Sequence, residues 1–282
     1  MNSAKSFAPA NISCVFKIYD KKNPRWSGSY GLGFTLNEGV IVQASKAKRN
    51  EVVFNNASIS FPTVKNVIEK LTKEKIRVYI KSNLPLGCGF GLSGASALAT
   101  AYVLNKLLNL KKTNKELAII AHTAETERKT GLGDVVNQYY GGFCMKLKPS
   151  SHFIVEKLPI SNVDVYCKYF SKINTKSVIT NEKLKKNINK AADMALDKLK
   201  QLAKSNKINS NKINFGDIIK ISKEFAVDSG LLKDKNVIEA IKLIEKNNGN
   251  ASMIMLGNAV FSDKAFKGAI KLKISDNKAC LL

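Results

Sequence analysis

Apolar and polar positions in the first third of the chain follow the pattern of β-strands. Residues 6–19, 29–45, 51–60 and 76–83 are rich in apolar and β-branched side chains, and glycines and polar residues separate them. Such runs, bounded by turn residues, predict strands. Residues 63–73 lie between the last two runs and have the composition of a helix. The opening segment is therefore predicted to form strands with one helix inserted.

The pattern changes at residue 85, after which helices are predicted to dominate. Residues 85–91 contain one proline and three glycines, a composition that excludes regular structure. Thr113 and Glu116 form the capping box of a helix start. Helices are predicted at 93–110, 114–129 and 135–140, followed by a strand at 141–147.

The composition shifts again after Pro149, where we place a domain boundary, near residue 150. Strands are predicted at 163–170, 251–256 and 269–274, and helices at 181–205, 215–227 and 234–247. The lysine-rich stretch 183–212 is predicted to be a solvated helix and loop. The chain is thus predicted to be a mixed α/β protein of the α+β type, with domains 1–150 and 151–282.

The charge of the chain raises the question of a nucleic-acid partner. The 282 residues carry a formal net charge of +24, a balance found in nucleic-acid-binding proteins. Nearly all of it is lysine, and the arginines are Arg25, Arg49, Arg77 and Arg128 alone. Because arginine is the preferred reader of bases and phosphates, we expect no specific nucleic-acid role. The positive field can still draw anionic substrates toward a cleft.

The cysteines and the apolar runs bear on cellular location. The five cysteines are far apart and form no Cys-x-x-Cys pair, so we expect reduced packing residues rather than a zinc site or disulfides. No apolar run is long enough to cross a bilayer, and the N-terminus lacks the pattern of a secretory signal. These features predict a cytoplasmic protein with no membrane partner.

The segment most informative about chemistry runs from Pro85 to Ser96. Gly87, Gly89 and Gly91 allow the main chain to approach a ligand closely. The helix that follows points its N-terminal amides at this loop, which creates an anion site suited to the phosphates of ATP. The segment has neither the Gly-Lys-Ser/Thr of a Walker A loop nor the glycine spacing of a dinucleotide fingerprint. Taken alone, it also fits a structural turn into a helix.

Two acidic residues farther along the chain favour a catalytic site. His122 and Glu125 are three residues apart on a predicted helix and face the same side. Asp134 follows nine residues later in a glycine-rich turn. Ser93 and Glu125 suit Mg²⁺, which leaves Asp134 to orient or deprotonate a substrate hydroxyl. The structural alternatives are a surface pair of Glu125 with Lys129 and a helix-capping role for Asp134.

These motifs resemble those of the GHMP kinases, the superfamily of galactokinase, homoserine kinase, mevalonate kinase and phosphomevalonate kinase. The glycine loop from Pro85 to Ala95, Glu125 and Asp134 occur in the order that this family uses. Residues 6–12 resemble its N-terminal strand motif, and residues 251–257 lie where its C-terminal glycine motif is expected. Within the superfamily, motifs spread over nearly the whole chain resemble those of the archaeal pantoate kinase family.

The resemblance implies a GHMP-kinase-like two-domain fold with the active site in the cleft between the domains. It implies phosphoryl transfer from ATP to (R)-pantoate, giving 4-phosphopantoate in archaeal coenzyme A biosynthesis. Ser93 and Glu125 would hold Mg²⁺, Asp134 would be the catalytic aspartate, and the family state would be a homodimer. The residues expected to hold the ATP phosphates are Pro85, Gly87, Cys88, Gly89, Phe90, Gly91, Leu92, Ser93, Gly94, Ala95 and Ser96.

The acceptor pocket follows from the chemistry of pantoate, which carries a carboxylate and two hydroxyls. Such a pocket requires a cation or amide donors together with hydroxyl partners, and Ser29, His122 and Lys146 are the candidates. Two positions depart from the family. Asn11 stands where many members have a lysine after the N-terminal Ala-Pro, and Leu92 replaces the first of the usual paired serines.

Two further hypotheses remain open at the level of sequence. The first is a kinase of the same superfamily that acts on another small alcohol, such as mevalonate, a phosphomevalonate or homoserine, because the glycine loop does not discriminate among them. A nonenzymatic nucleic-acid-binding protein is the alternative from a different class. It would leave the glycine loop and the two carboxylates without a role.

Overall fold

The computed structural model describes residues 4–208 and 213–282. The strands are β1 Ala4–Tyr19, β2 Gly28–Lys46, β3 Glu51–Phe54, β4 Ala57–Ser58, β5 Ile76–Lys81, β6 Phe143–Lys146, β7 Glu156–Leu158, β8 Asp164–Ser171, β9 Ala251–Met253, β10 Asn258–Ser262, β11 Ile270–Lys273 and β12 Cys280–Leu281. The helices are α1 Pro62–Leu71, α2 Leu92–Leu107, α3 Asn114–Arg128, α4 Asp134–Tyr140, α5 Thr175–Ile179, α6 Glu182–Ile208, α7 Phe215–Asp228 and α8 Lys235–Lys246.

A mixed eight-stranded sheet forms the larger layer of the molecule. Its main path runs β12-β1-β2-β5-β3-β4, with β6 paired to β2 and β7 to β6. The long antiparallel pair β1 and β2 is its centre. Residues 41–46 of β2 pair with β5, and residues 31–34 pair with β6, so one strand joins two parts of the sheet. β7 and β12 come from beyond residue 150 and complete this layer.

Helix α2 is the buried helix that the composition of its segment predicts. It packs against β1 and β2 and is flanked by α1, α3 and α4. Twelve of its sixteen residues are buried, and many are alanine or another small residue, which permits close approach to the sheet. This packing fixes the position and direction of the N-terminus of α2.

The second layer is a four-stranded antiparallel sheet in the order β11-β8-β10-β9. Helices α6 and α7 pack against β1, and α7 and α8 pack against β9. The segment that follows β9 lies close to the glycine loop and forms part of the site described below.

The predicted elements are present, with adjusted bounds, and the mixed α/β fold class is confirmed. The single strand predicted at 51–60 is wrong in one respect. It is split into β3 and β4 by Asn55 and Asn56, which both have positive φ and therefore turn the chain. The short elements β7, α5, β10 and β12 were not predicted. Within the lysine-rich stretch 183–212, α6 confirms the helix, and residues 209–212 lie outside the described residues.

The cysteines and the helices bear on two further features of the chain. All five cysteines are unpaired, and four of them are buried. No helix in the described ranges is both long and apolar enough to cross a membrane.

Candidate active site

The glycine loop adopts a conformation that its glycines make possible. Gly87, Gly89 and Gly91 have φ values of +85°, +89° and +61°, in the region that residues with a Cβ rarely occupy. Gly91 is the N-cap of α2, and its carbonyl accepts a 3.1 Å hydrogen bond from the amide of Ala95. The amides of the first turn of α2 have no partner within the helix. They face the loop, as required for an anion site.

Several distant segments hold this loop in place. The amides of Asn11 and Ile173 donate to the carbonyls of Phe90 and Gly87, at 3.0 and 3.1 Å. The Gln138 side chain donates to the Gly91 carbonyl at 2.8 Å. A fourth support, from the segment after β9, is a close contact of residue 257 with the backbone of Cys88. The loop is thus fixed by both halves of the chain.

A cavity of about 300 Å³ lies in front of the loop. Asp134 is the one carboxylate among its lining residues, and Lys129 and Lys176 are the cations. The cavity is lined by the loop, by the turn 129–134, by residues 173–176 and by Met255 and Leu256, together with Ser13, Phe16, Ser29 and residues 61–63. The predicted phosphate loop and Asp134 therefore share one cavity.

Glu125 is buried at the C-terminal end of α3 with little hydrogen bonding. Its side chain is 0% exposed, and neither carboxylate oxygen has a well-aligned donor among the described residues; the backbone amide of Val135 is the one group close enough to act on it as a donor. It lies between Gly94 and Gly131, where a Cβ on either residue would press on Oε1. Burial and the charge of Asp134 raise the pKa of Glu125 well above its ordinary value. Because Glu125 is fully buried, the alternative of a surface pair with Lys129 fails.

These features fit a cation beside Glu125. Two buried acceptor oxygens without donors are costly, and a hard cation satisfies them. The Ser93 hydroxyl lies at the first turn of α2 and bonds Thr63 at 3.2 Å, while Thr63 bonds Thr130 at 2.9 Å. Within the described ranges no cluster of three or more histidine, cysteine or acidic residues forms a metal cage. Mg²⁺ bound mainly by phosphates and water needs no such cage.

Asp134 is the first residue of α4 and remains partly exposed to the cavity. The N-cap of α4 is Gly133, so the helix-capping alternative for Asp134 fails. Its Oδ1 accepts a 2.7 Å hydrogen bond from Asn11 Nδ2. Burial raises its pKa, and the charge of Lys146 and the bond from Asn11 oppose that rise. The carboxylate is thus held at one oxygen beside the phosphate loop.

Ser29 lies in the wall of the cavity. Its hydroxyl lies so close to Gly133 that a Cβ there would be 2.5 Å from Oγ. Its backbone amide donates to Ser150 Oγ at 2.9 Å, and Ser150 in turn donates to the carbonyl of Leu132. Ser29 is therefore fixed next to the turn that carries Asp134, in a position to meet an acceptor.

His122 does not line the cavity, which corrects the predicted direct contact with the acceptor. Its side chain is 0% exposed, and Nε2 donates to the carbonyl of Ser27 at 2.9 Å. Burial lowers its pKa to about 4, so the ring is neutral at pH 7. Thr126, one turn later on α3, donates to the Pro24 carbonyl at 2.8 Å. His122 therefore supports the 24–29 segment from behind because α3 packs beneath it.

Lys146 also lies behind the cavity rather than in its wall. Only 3% of this residue is exposed, and its Nζ donates to Asn137 Oδ1 at 2.8 Å. Asn137 Nδ2 donates to Asn11 Oδ1 at 2.8 Å, and Asn11 reaches Asp134. Burial lowers the pKa of Lys146. The predicted contact of this lysine with an acceptor carboxylate is replaced by a contact with a buried amide.

Asn11, noted in the sequence only as a departure from the family, and Asn137 are site residues to which the sequence reasoning gave no role. Both are fully buried, although Asn11 lies in an otherwise apolar stretch and Asn137 directly follows Val135 and Val136. A polar amide within a buried segment is unusual unless a partner is present. That contrast is the signal in the sequence that singles these two residues out.

Comparisons with known proteins agree with this site. Residues 60–142 match the family model described as GHMP kinases N terminal domain. The chain is 36% identical over 263 residues to the pantoate kinase of Methanocaldococcus jannaschii, covering 90% of each chain. It is 29% identical over 293 residues to the pantoate kinase of Methanospirillum hungatei, covering 98% of this chain and 96% of that one.

A solved structure agrees with the fold. The structure titled "Phosphotransferase related to CoA biosynthesis pathway" superposes with a TM-score of 0.83 at 24% identity, covering 99% of this chain and 98% of that one. The glycine loop, the two carboxylates and these relatives lead to one conclusion: the chain belongs to the GHMP kinases and is a small-molecule kinase.

Proposed function

We propose that this protein transfers the γ-phosphoryl group of ATP to (R)-pantoate, giving ADP and 4-phosphopantoate, a step toward coenzyme A. The observation that carries the proposal is the similarity to pantoate kinases over nearly the full length, together with the carboxylate of Asp134 in the same cavity as the phosphate loop. The matches to galactokinases and mevalonate kinases span less than half of the chain.

In the proposed reaction the phosphates of ATP lie on the loop from Pro85 to Ser96. The amides of the first turn of α2 stabilise the charge on the transferring group, because preorganised donors require no rearrangement during the reaction. Lys129 and Lys176 line the same cavity and add positive charge. Mg²⁺, held by Glu125 and Ser93, would supply neutralisation of phosphate charge.

Asp134 acts on the acceptor. Its Oδ1 accepts a hydrogen bond from Asn11, and we assign the second oxygen to the substrate hydroxyl. That hydroxyl oxygen forms a bond to the γ-phosphorus while the bond from phosphorus to the bridging oxygen of ADP breaks. The hydroxyl proton passes to Asp134. Ser29, which lines the cavity next to Gly133, donates to or accepts from the acceptor.

The carboxylate of pantoate requires a cation that the cavity presents directly. Lys146 is buried behind Asn137, and His122 is neutral and turned toward Ser27. We assign the carboxylate instead to Lys129, which lines the cavity at the C-cap of α3. Its backbone φ of +55° is uncommon for a residue with a Cβ, and the turn into Thr130 imposes it.

The remaining parts of the proposal concern organisation and location. We propose that the chain forms two domains, 1–150 and 151–282, and that two copies form a homodimer, which light scattering on the purified protein tests. We also propose that the enzyme works in the cytoplasm of an archaeon. The pantoate kinases of Methanocaldococcus jannaschii and Methanospirillum hungatei, which match over nearly the whole chain, support the archaeal origin.

The test of the activity is an assay of ADP release with Mg-ATP, offered (R)-pantoate, mevalonate and homoserine in separate reactions. We expect turnover with pantoate at a kcat/KM at least about 100-fold above that for the other acceptors, since a site built for specific polar groups rejects analogues that leave those groups unpaired. Turnover with another acceptor would retain the kinase and overturn the pantoate assignment.

A further inference from the structure

Behind Asp134, four side chains form a hydrogen-bonded chain that runs in one direction. Lys146 Nζ donates to Asn137 Oδ1 at 2.8 Å, Asn137 Nδ2 donates to Asn11 Oδ1 at 2.8 Å, and Asn11 Nδ2 donates to Asp134 Oδ1 at 2.7 Å. We call these four residues the amide relay. It joins strand β6 to helix α4 and then to strand β1 and back to α4.

The ammonium group sets the direction of the relay. A lysine donates hydrogen bonds and accepts none, so Asn137 must present its oxygen to Lys146 and its NH₂ group to Asn11. Asn11 must then present its own oxygen to Asn137, which leaves its NH₂ group for Asp134. Without the ammonium, the side-chain amides of Asn137 and Asn11 can rotate by 180°, because exchanging the oxygen and the NH₂ group hardly changes the shape of the side chain. Reversed, Asn11 would place a carbonyl oxygen against the carboxylate.

The burial of Lys146 indicates a role beyond packing. Only 3% of it is exposed, and the group that its Nζ meets at 2.8 Å is the neutral amide of Asn137. A buried charge without an ion-pair partner is expensive. The charged and titratable groups that act on it are Asp134 of α4, Glu125 of α3, Cys14 of β1 and Cys144 of β6. The two carboxylates among them are those of the active site.

We infer that Lys146 is a positioning residue, which orients the Asp134 carboxylate through Asn137 and Asn11. The inference rests on the proposed function and deepens it. With Oδ1 held by a donor of fixed direction, the other oxygen of Asp134 keeps its geometry toward the acceptor hydroxyl. A loss of this geometry costs turnover rather than substrate affinity.

Two substitutions separate this role from the alternatives. Lys146→Met removes the ammonium and keeps the length of the side chain. Asn137→Asp keeps a strong partner for Lys146 but removes the NH₂ donor to Asn11, so the relay breaks while the β6 contact remains. Lys70→Met is the control for loss of a lysine charge, since Lys70 is an exposed lysine of α1 that pairs with Glu127 and is in neither the cavity lining nor the relay.

The kinetic readout is kcat and KM for pantoate and for ATP. We expect Lys146→Met and Asn137→Asp each to lower kcat by about 30-fold or more, with both KM values changed less than about threefold and Lys70→Met unchanged. Lys146→Arg, which retains a cationic donor, should recover part of the loss. A rise of at least tenfold in the pantoate KM of Lys146→Met, with Asn137→Asp active, would overturn the inference and place Lys146 on the acceptor.

A second readout does not depend on activity. In ¹⁵N-labelled protein, we expect the side-chain NH₂ groups of Asn11 and Asn137 to be protected from solvent exchange, and Lys146→Met to remove that protection. If wild-type protein fails to phosphorylate pantoate while this protection is present and is lost in the variant, the proposed function fails and the relay stands. If wild-type protein uses pantoate and the variants retain kcat and protection, the relay fails.

Discussion

At the scale of single residues, two carboxylates with different surroundings have different uses. Glu125 is sealed from solvent and has no well-aligned donor among the described residues, which suits a ligand for a cation. Asp134 is partly exposed in the cavity, where Asn11 donates to it and Ser13 lies close enough to act on it, which suits a group that exchanges a proton with a substrate. Their environments, rather than their chemistry, divide the roles.

Asp134→Asn is expected to lower kcat about 100- to 10,000-fold, because the amide cannot accept the hydroxyl proton. The substitution preserves the shape of the side chain and can retain the contact with Asn11. The affinity for Mg-ATP, measured by calorimetry, should change less than about threefold, since Asp134 is assigned to the acceptor. An equal loss of turnover and of ATP affinity would contradict this role and place Asp134 on the nucleotide.

The stability of the nucleotide-free protein should depend on Glu125 in an unusual direction. Its pKa in the folded state is raised by burial and by Asp134, so between the ordinary value of 4.5 and the raised value the folded state binds more protons than the unfolded state. Stability therefore falls as pH rises through that window. We expect Glu125→Gln to raise the melting temperature at pH 8 by about 3 °C and to have little effect at pH 4.

Glu127→Gln is the matched control, on the same helix and two residues away. Glu127 forms an ion pair with Lys70 and accepts a hydrogen bond from Asn66. Burial alone would raise the pKa of Glu127, but the bonds from Lys70 and Asn66 outweigh it and lower the pKa. Its substitution should lower the melting temperature at pH 8 slightly. If Glu125→Gln also lowered the melting temperature at pH 8, the claim that ionised Glu125 destabilises the nucleotide-free protein would be refuted. Added Mg-ADP should stabilise the wild type more than Glu125→Gln.

At the scale of elements, the phosphate loop depends on a contact between the two halves of the chain. A Cβ on Gly89 would lie 2.7 Å from Ile254 Cγ2 and 3.0 Å from the Met255 carbonyl oxygen. The segment after β9 thus packs directly on the loop. This packing fixes the backbone conformation of the loop and therefore the direction in which its N–H groups point toward a phosphate.

Gly89→Ala is expected to weaken Mg-ATP binding at least about tenfold, because the loop must move away from residues 254–257 to accommodate the methyl group. Gly230→Ala is the matched control. Both glycines have positive φ, +89° and +71°, but nothing lies within 4 Å of a Cβ on Gly230. The control should lose about 1 kcal/mol of stability and bind the nucleotide normally. Unchanged binding by Gly89→Ala would contradict the assigned role of the loop.

The periodicity of the sequence predicted the long elements and missed the short ones. Strands such as β1 and helices such as α2 have enough residues for a pattern to emerge, whereas β7, α5 and β12 have two to five residues. These short elements form because tertiary contacts hold them. The split of 51–60 at Asn55 and Asn56 was readable in principle, since asparagine tolerates positive φ.

The candidate site was predictable as a set of motifs but not in depth. The glycine loop, Ser29 and Asp134 meet at one cavity, as expected from their motifs. His122 and Lys146 were expected beside the acceptor and instead lie one layer behind it. A single sequence shows which residues lie near a turn, but the packing of α3 and β6 beneath that turn decides which side chains reach the cavity.

At the scale of the whole molecule, the chain has a net charge of +24. The carboxylate among the lining residues of the active-site cavity is that of Asp134. Lys129 and Lys176 lie in the wall of this cavity, so the field that would attract nucleic acid also attracts ATP and an acidic acceptor. A nonenzymatic nucleic-acid-binding protein has no need of the buried Glu125, whose ionisation is costly. The burial of that carboxylate is the physical argument for an enzyme.

The most direct measurement of the central claim is ³¹P NMR of a reaction in which equal concentrations of (R)-pantoate, mevalonate and homoserine compete for Mg-ATP. Competition reports the ratio of kcat/KM values. The account predicts one new phosphomonoester resonance, that of 4-phosphopantoate, growing as the γ-phosphate resonance of ATP declines. A phosphorylated product derived mainly from mevalonate or homoserine, or inorganic phosphate alone, would contradict it.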